Sequence, residues 1–470
     1  MSGQRIIDIP LQLPDGRFVL PGNRFDLVAG IRPEPPEISV IITYFNDQAN
    51  LDRVLAALAC STHPRRRLQV VVADDGSTRP PDLAAAGPLE VELVRQPDRG
   101  FRAAAARNLG ASRARGSVLA FLDGDTIPEP GYLTALTRLP ALVPDALVGG
   151  RRRHAELTGW TPQRVVEWLT GAATGPVELA EPAWLVEKYR QTDDLLDDGP
   201  RGYQGLISAT MACSRELFAE LGGFDASMVG YGGEDFDLAY RAHTAGAVLA
   251  HVPDAVAWHD GPEWAERGNE AVRRTQKNTE AVELARRIPE PTSRGTGQRY
   301  QIVDVLVDLD VTGWTMGAAV ACLRSVLTRW DCAVRLTGGD AARMTALFAE
   351  DPRVGGDPPT TAMTDRARVQ LAAVTPFLVQ PGSTLLARVT DQHIGRVVVG
   401  NESGRHRPPM LTATATRAAR RAGRWSPRLG RSEPELLEAL FEAVVLDADD
   451  AGITPIGFEP SLPAMFGGWG

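Results

Sequence analysis

The chain has 470 residues, more than one ordinary core accommodates, so two domains are expected. Its composition is globular, 43% apolar and 23% charged, and a formal net charge of −9 argues against a general nucleic-acid binder. No apolar run reaches the roughly 18 residues that cross a bilayer, and the first ten residues lack the basic and apolar regions of a signal peptide. Four scattered cysteines, Cys60, Cys213, Cys322 and Cys332, have no metal-ligand spacing and read as reduced, buried thiols. A cytoplasmic protein without a transmembrane segment is expected, peripheral membrane association through a partner staying open.

Residues 1–36 read as an N-terminal extension. Short apolar pieces broken by Pro14-Asp15-Gly16 and Pro21-Gly22 predict a small hairpin, and the prolines between Arg32 and Glu37 a stiff lead-in. From Ile38 the pattern changes. Ile38–Thr43 is a β-branched strand, Asn50–Ala59 a helix with Leu51, Val54, Leu55 and Leu58 on one side, and Leu68–Ala73 a second strand. Such a βαβ unit implies a parallel sheet, and ligands of open parallel sheets bind beyond the carboxyl ends of the strands. The residues after each strand therefore matter most: Thr43, Tyr44 and Asn46, then Asp74 to Ser77 with Asp75, then Asp123-Gly124-Asp125 after the apolar run from Gly116. Asp75 suits a base N–H or a ribose hydroxyl, although Asp-Asp-Gly-Ser is also an ordinary turn. Asp123 and Asp125 leave the same face of an extended backbone and make a hard oxygen corner suited to Mn²⁺ or Mg²⁺ and a diphosphate. The bare tripeptide, too, is often a turn.

Between these loops a helix is predicted from near Gly100, carrying Arg102 and Arg107. It is either a diphosphate cradle at a helix N-terminus or an amphipathic helix with its alanines on the sheet, Arg107 and Asn108 then fixing loop geometry. Arg151 to Arg201 reads as an insertion of helices and loops, including Arg164–Leu169 and Trp184–Leu196. Glu234 and Asp235 follow Gly230, Gly232 and Gly233 and open a helix, where carboxylates favour the dipole. His259 and Trp258 follow a strand at Ala247–Val252; a lone histidine and a tryptophan are most often structural. His154, His243 and His251 have no distinguishing context.

The ordered set Ile38 to Asn46, Asp74 to Ser77, Gly100-Phe101-Arg102 with Ala106 to Gly110, Phe121 to Asp125, and Gly230 to Arg241 resembles family 2 glycosyltransferases with the GT-A fold. The likeness is greatest to the chondroitin-polymerase and galactosyltransferase-like branch and covers roughly residues 36 to 265. It implies an α/β GT-A domain, a Rossmann-like mixed sheet flanked by helices, at residues 37–287. The implied activity is a metal-dependent inverting hexosyl- or N-acetylhexosaminyl-transfer, as in polysaccharide biosynthesis, from a nucleotide-sugar, most simply a UDP-sugar, to a glycan or other hydroxyl acceptor. Thr43, Tyr44, Asn46, Asp75, Arg102 and Asp123 would bind the nucleotide. Asp125, with His259 and Asp123, would hold Mn²⁺ or Mg²⁺. Asp235 would be the base that deprotonates the acceptor hydroxyl, with Glu234 holding the acceptor or the two roles reversed. Gly230, Gly232 and Gly233 would let the backbone approach the acceptor, and Trp258 would stack on a sugar or pack in the core. The alternative is a non-catalytic sugar-nucleotide or glycan-binding protein. A nucleotidyltransferase would need a basic phosphate-gripping loop near the N-terminus, which is lacking.

Glu263 to Arg287 is a charged helical segment and residues 288–299 a linker. Residues 300–470 form a smaller α/β domain, either a degenerate GT-A-like copy of the first or a coincidence between two generic βαβ units. Val303 stands 265 residues after Ile38, Asp340 the same 265 after Asp75, and Gly382–Asp391 follows Gly116–Asp125 at 266, with Val389 in place of Asp123. Lacking a base and a full metal pair, the copy is expected to have no transfer activity. Arg405 to Arg431, eight arginines and no acidic residue, is either a phosphate-, polysaccharide- or membrane-binding surface or a solvated helix face. Glu433–Val445 is predicted as an amphipathic helix, and Phe466–Gly470 as a flexible end.

Overall fold

The computed structural model describes residues 9–230, 232–262, 269–295, 297–400 and 409–467. Tyr231, the first residues of the extension, the start of the charged segment at 263–268, the first part of the arginine run and the last three residues of the tail lie outside them. The chain divides into two compact units. The first spans Asp8–His243 and Ala247–Leu284, and the second holds the chain from Ala285 onward.

In the first unit, Leu11–Gln12 (β1) and Phe18–Val19 (β2) make the predicted hairpin. The extension is stitched into the unit. Leu20 and Val28 are in its core, and the Asn23 side chain donates to the Leu195 and Leu249 carbonyls while accepting from Leu249 N. The main sheet contains Ile38–Tyr44 (β3), Leu68–Asp74 (β4), Glu90–Arg95 (β5), Val118–Asp123 (β6), Thr126–Pro128 (β7), Ala146–Glu156 (β8), Val177–Leu179 (β9), Thr210–Ser214 (β10) and Val248–Asp260 (β11). Its order is β5-β4-β3-β6-β10-β8-β11-β7, with β9 beside β8. The first four are parallel, β10 runs antiparallel to both neighbours, and β11 is parallel to β8. This is the mixed α/β architecture expected from the sequence.

β3, β4 and β6 are buried on both faces, which is why they read as near-continuous apolar runs. One face packs on Gln48–Ala59 (α1), whose N-terminus is capped by the Asp47 side chain, and on Tyr132–Leu142 (α3). The other receives Ala103–Ala111 (α2) through Ala106 against Val71 and Ala73. The helix begins at Ala103, so Arg102 is its N-cap residue. The expected insertion holds Pro162–Leu169 (α4) and Ala183–Gln191 (α5), but Arg151–Glu156 is strand rather than helix or loop. Its basic run hides the strand because the charges are neutralised across the edge, where Arg151 pairs with Glu181 and Arg153 with Glu178 on β9. Arg215–Glu220 (α6) and Glu234–Thr244 (α7) precede β11, and Glu270–Arg287 (α8) follows it.

The second unit opens with a helical turn at Pro291–Arg294 (α9), inside the expected linker, capped by Glu290. Its sheet comprises Val305–Asp310 (β12), Cys332–Thr337 (β13), Val354–Gly355 (β14), Val369–Ala373 (β15), Ile394–Val399 (β17), Leu411–Ala415 (β18) and Glu442–Leu446 (β19), ordered β14-β13-β12-β15-β18-β17-β19. Short strands Phe377–Val379 (β16) and Ile453–Pro455 (β20) pair separately, and Met316–Arg329 (α10) follows β12. With β7 and β9 set aside, the first sheet has the same order, each by rank in the chain: third, second, first, fourth, sixth, fifth, seventh. The parallel and antiparallel pairings also match step by step.

The residue-by-residue match by fixed spacing does not survive. The strand in the place of β6 is β15, and Gly382–Asp391 instead carries a helical turn at Leu385–Val389. The reason is a shorter connection, since β3 and β6 start at 38 and 118 but β12 and β15 at 305 and 369. Asp340 likewise lies three residues beyond the end of β13. Leu385 and Val389 are buried, as befits a packed turn. The described part of the arginine run holds β18 and then a helix, Thr416–Leu429, in which Arg421 is only 2% exposed and Arg417 and Arg421 lie over the Phe441 ring; this helix is not a solvated face. The predicted helix to Val445 stops at Leu440, where β19 takes over. Cys213, Cys322 and Cys332 are buried, and burial pushes their thiols up to about 12. Among the described residues no helix is long and apolar enough to cross a membrane.

Candidate active site

At the carboxyl ends of β3, β4 and β6 a cleft of about 320 Å³ is lined by Thr43, Tyr44, Asp75, Asp123, Asp125 and His259, all six singled out from the sequence. Sheet register brings them together: Thr43 pairs with Asp123 across β3 and β6, and Tyr44 with Asp74 across β3 and β4. Asp75 is nearly buried. Its carboxylate accepts from Gln96 Nε2 at 2.5 Å and from the Arg102 backbone N–H at 2.8 Å. These two fixed donors orient the carboxylate in the cleft wall.

Arg102 and Asn46 do not line the cleft. The backbone of Arg102 orients Asp75. Asn46, at a positive φ of 52°, ties two loops together, donating from N to Ser77 Oγ and accepting from Thr78 N and Oγ1.

Asp125 sits where β7 leaves β6, and His259 lies directly across from Thr126 on β11. The His259 Nδ1 is 3.2 Å from Asp125 Oδ1. Burial works to raise the Asp125 carboxyl, but the bond to His259, with the charge of Arg152 behind it, holds it below the ordinary value. The His259 ring is steadied by an edge contact with His154 at 4.9 Å, its register partner on β8. Asp123 turns elsewhere, accepting from Arg107 Nη2 at 2.8 Å and Thr43 Oγ1 at 3.4 Å. Among the described residues no three His, Cys, Asp or Glu side chains gather as a metal-holding group. Asp125 and His259 alone still suit a divalent ion, because such ions usually take one or two carboxylates and complete their shell with substrate phosphates and water. Gly124 is required between the carboxylates, since a Cβ there would lie 2.6 Å from the Thr43 carbonyl oxygen.

Arg107 joins this half to the next. Only 4% exposed, it donates from Nη1 to Glu234 Oε1 at 2.8 Å while holding Asp123. Burial opposes its charge, but Asp123 and Glu234 raise it above the ordinary arginine value, so it is a fixed cation. Glu234 and Asp235 form the first turn of α7, after Gly230, Gly232 and Gly233, all at positive φ. The Asp235 carboxylate accepts from Phe236 N at 2.8 Å and Ser208 N at 3.4 Å. Burial first, and then the Glu234 carboxylate, push Asp235 up to about 7, against the pull of Arg107 and the two N–H donors. A carboxylate poised near neutrality is a competent proton acceptor.

Several lining residues escape a reading by motif. Phe45 and Phe101 stand in the cleft wall at 51% and 50% exposure, both inside stretches singled out for their polar neighbours. Their signal is aromatic exposure, which a sequence does not display. Arg152 also lines the cleft, brought there by the unpredicted half of β8. Trp258 is core, 4% exposed, with Nε1 donating to Glu129 at 2.8 Å, its ring against Trp168, and Arg153 over it.

Residues 39–219 match the family model described as Glycosyl transferase family 2, and residues 198–257 the one described as N-terminal domain of galactosyltransferase. Hyaluronan synthase of Pasteurella multocida is 28% identical over 280 residues, covering 55% of this chain and 28% of its own. Chondroitin synthase of Escherichia coli is 27% identical over 292 residues, 57% of this chain and 42% of its own. Validoxylamine A glucosyltransferase of Streptomyces hygroscopicus subsp. limoneus is 32% identical over 232 residues, 46% and 50%. The matched segment thus spans half or less of the length of these curated relatives.

Proposed function

Because the chain carries a family 2 glycosyltransferase domain at residues 39–219, we propose that it is a metal-dependent, inverting glycosyltransferase. It moves a sugar from a nucleoside diphosphate sugar, most simply a UDP-sugar, to a hydroxyl of a glycan or other acceptor. The observation that carries this reading is Arg107, a buried cation that locks the carboxylate beside the cleft, Asp123, to the carboxylate pair at the head of α7. A donor pocket and a proton acceptor are thereby held in one rigid frame.

In this reading Phe45 and Phe101 flank the nucleobase and Asp75 accepts from its N–H or from the ribose. Asp123, already oriented by Arg107, takes a ribose hydroxyl. Asp125 and His259 would hold Mn²⁺ or Mg²⁺, which when bound offsets the charge that grows on the departing diphosphate. Asp235 takes the proton from the acceptor hydroxyl as its oxygen bonds to the anomeric carbon. The bond from that carbon to the diphosphate breaks on the opposite face, so the configuration inverts. Glu234, tied to Arg107, is a positioning residue. Residues 300–470, whose sheet repeats the order of the first, are in this reading a copy kept as architecture without transfer chemistry.

The test is release of nucleoside diphosphate from a panel of nucleotide-sugars with Mn²⁺ or Mg²⁺. The wild type should release it, and Asp125→Ala should lose at least about 100-fold of that rate, since several kcal/mol of leaving-group stabilisation are removed. Release that is insensitive to both metal and Asp125→Ala would sink the metal assignment.

A further inference from the structure

Trp184 is left half-exposed, at 48%, although a tryptophan buries more apolar surface than any other side chain when it packs. It is not loose. Its helix, α5, is anchored by buried Leu185 and Tyr189. The Tyr189 ring stacks on His251 at 3.5 Å and 4°, and its hydroxyl donates to the Gly205 carbonyl at 2.7 Å. The Trp184 ring also meets Phe236 at 6.5 Å and 88°. Phe236 directly follows Asp235 and donates its backbone N–H to that carboxylate at 2.8 Å. A rigid, exposed indole is therefore coupled through one ring to the proton acceptor, outside the residues that line the donor cleft.

We infer that Trp184, backed by Phe236, is the acceptor platform, and that the acceptor is a saccharide. A pyranose presents one face of C–H bonds, whose slight positive charge suits the negative face of an aromatic ring, while its hydroxyls point outward from the edge. Stacking the terminal ring on Trp184 turns an edge hydroxyl toward Asp235. A serine or threonine side chain, or a simple alcohol, has no such face and gains nothing from the platform. The inference rests on the transferase reading above and names its acceptor class.

The experiment measures, for the wild type, Trp184→Ala and Trp184→Phe, both hydrolysis of the nucleotide-sugar without acceptor and transfer to three acceptor types: hexose and N-acetylhexosamine oligosaccharides, a serine- and threonine-containing peptide, and glycerol. Oligosaccharides alone should accept. Trp184→Ala should raise their KM about tenfold, Trp184→Phe should restore much of it, and acceptor-free hydrolysis should stay unchanged, as a stacking contact of this kind requires. An unchanged acceptor KM, equal use of peptide or glycerol, no use of any oligosaccharide, or a parallel loss of hydrolysis overturns the platform. Absence of diphosphate release by the wild type sinks the transferase reading and the platform together, so the two failures are told apart.

Discussion

The sharpest consequence of the geometry concerns pH. Asp235 is pushed up to about 7, from an ordinary 3.8, by burial and by Glu234 beside it. If it takes the acceptor proton, only its ionised form works. At pH 6 about one molecule in eleven is then ionised, so kcat/KM should rise about tenfold per unit below 7 and flatten above it. Replacing Glu234 by Gln removes the like charge and should move this limb to lower pH. Asp235→Asn should cost about 10² to 10⁴ in transfer and leave the residual rate without the limb. The assay is the initial rate of diphosphate release with acceptor, from pH 5 to 9, at saturating metal. A profile that is flat across this range, or a limb that survives in Asp235→Asn, would refute the assignment. The same group makes a stability statement of definite sign. Between about 4 and 7 the folded state binds the Asp235 proton and the unfolded chain does not, so stability should fall as pH rises through that window. Urea titrations of Asp235→Asn should lack this fall.

Two other substitutions follow from the same frame. Arg107→Met leaves Asp123 and Glu234 without their shared cation and should cost about 3–5 kcal/mol in urea unfolding, whereas a loss under about 0.5 kcal/mol would mean that the bridge contributes no stability. Gly124→Ala forces a methyl against the Thr43 carbonyl and should cost about 1–3 kcal/mol and weaken metal-dependent release; unaltered metal dependence would show that the turn between Asp123 and Asp125 yields freely.

What was legible follows from where each feature is encoded. Strands β3, β4 and β6 are buried on both faces, so their β-branched runs stand out without neighbours, and the polar residues at and just past their ends, Thr43 and Tyr44, Asp75, and Asp123, mark the cleft. Features made by pairing across the sheet were not legible. Arg152 and His154 lie on a strand whose charges are cancelled by Glu178 and Glu181, some 25 to 30 residues on, and no local pattern announces that partner. Arg107 was visible as a helix residue, but its two carboxylates stand 16 and 127 residues away. Its role is a property of the assembled fold. The exposed aromatics Phe45, Phe101 and Trp184 differ from the buried Trp258 only in packing, which composition does not reveal.

The second sheet shows the same division between fold and chemistry. It keeps the strand order and every parallel or antiparallel choice of the first, because those depend on apolar patterning that many sequences satisfy. Chemistry depends instead on a few residues at strand ends, and there the two sheets part. Thr43 pairs with Asp123 in the first, whereas in the second Leu309 pairs with Ala373, which offers no ligand. Beyond the strands the chain also bonds to itself. Buried Trp314 reaches across from the end of β12 to donate to the Val374 carbonyl at 3.0 Å, just past β15. At the head of α10, where a helix N-terminus could receive an anion, the Glu459 carboxylate already accepts from Gly317 N at 3.0 Å. The first unit meets the same requirement at α1 with Asp47, the residue immediately before the helix, and its cleft stays open. A sheet of this order is thus compatible with different residues at its strand ends, and those residues, not the strand order, set the chemistry.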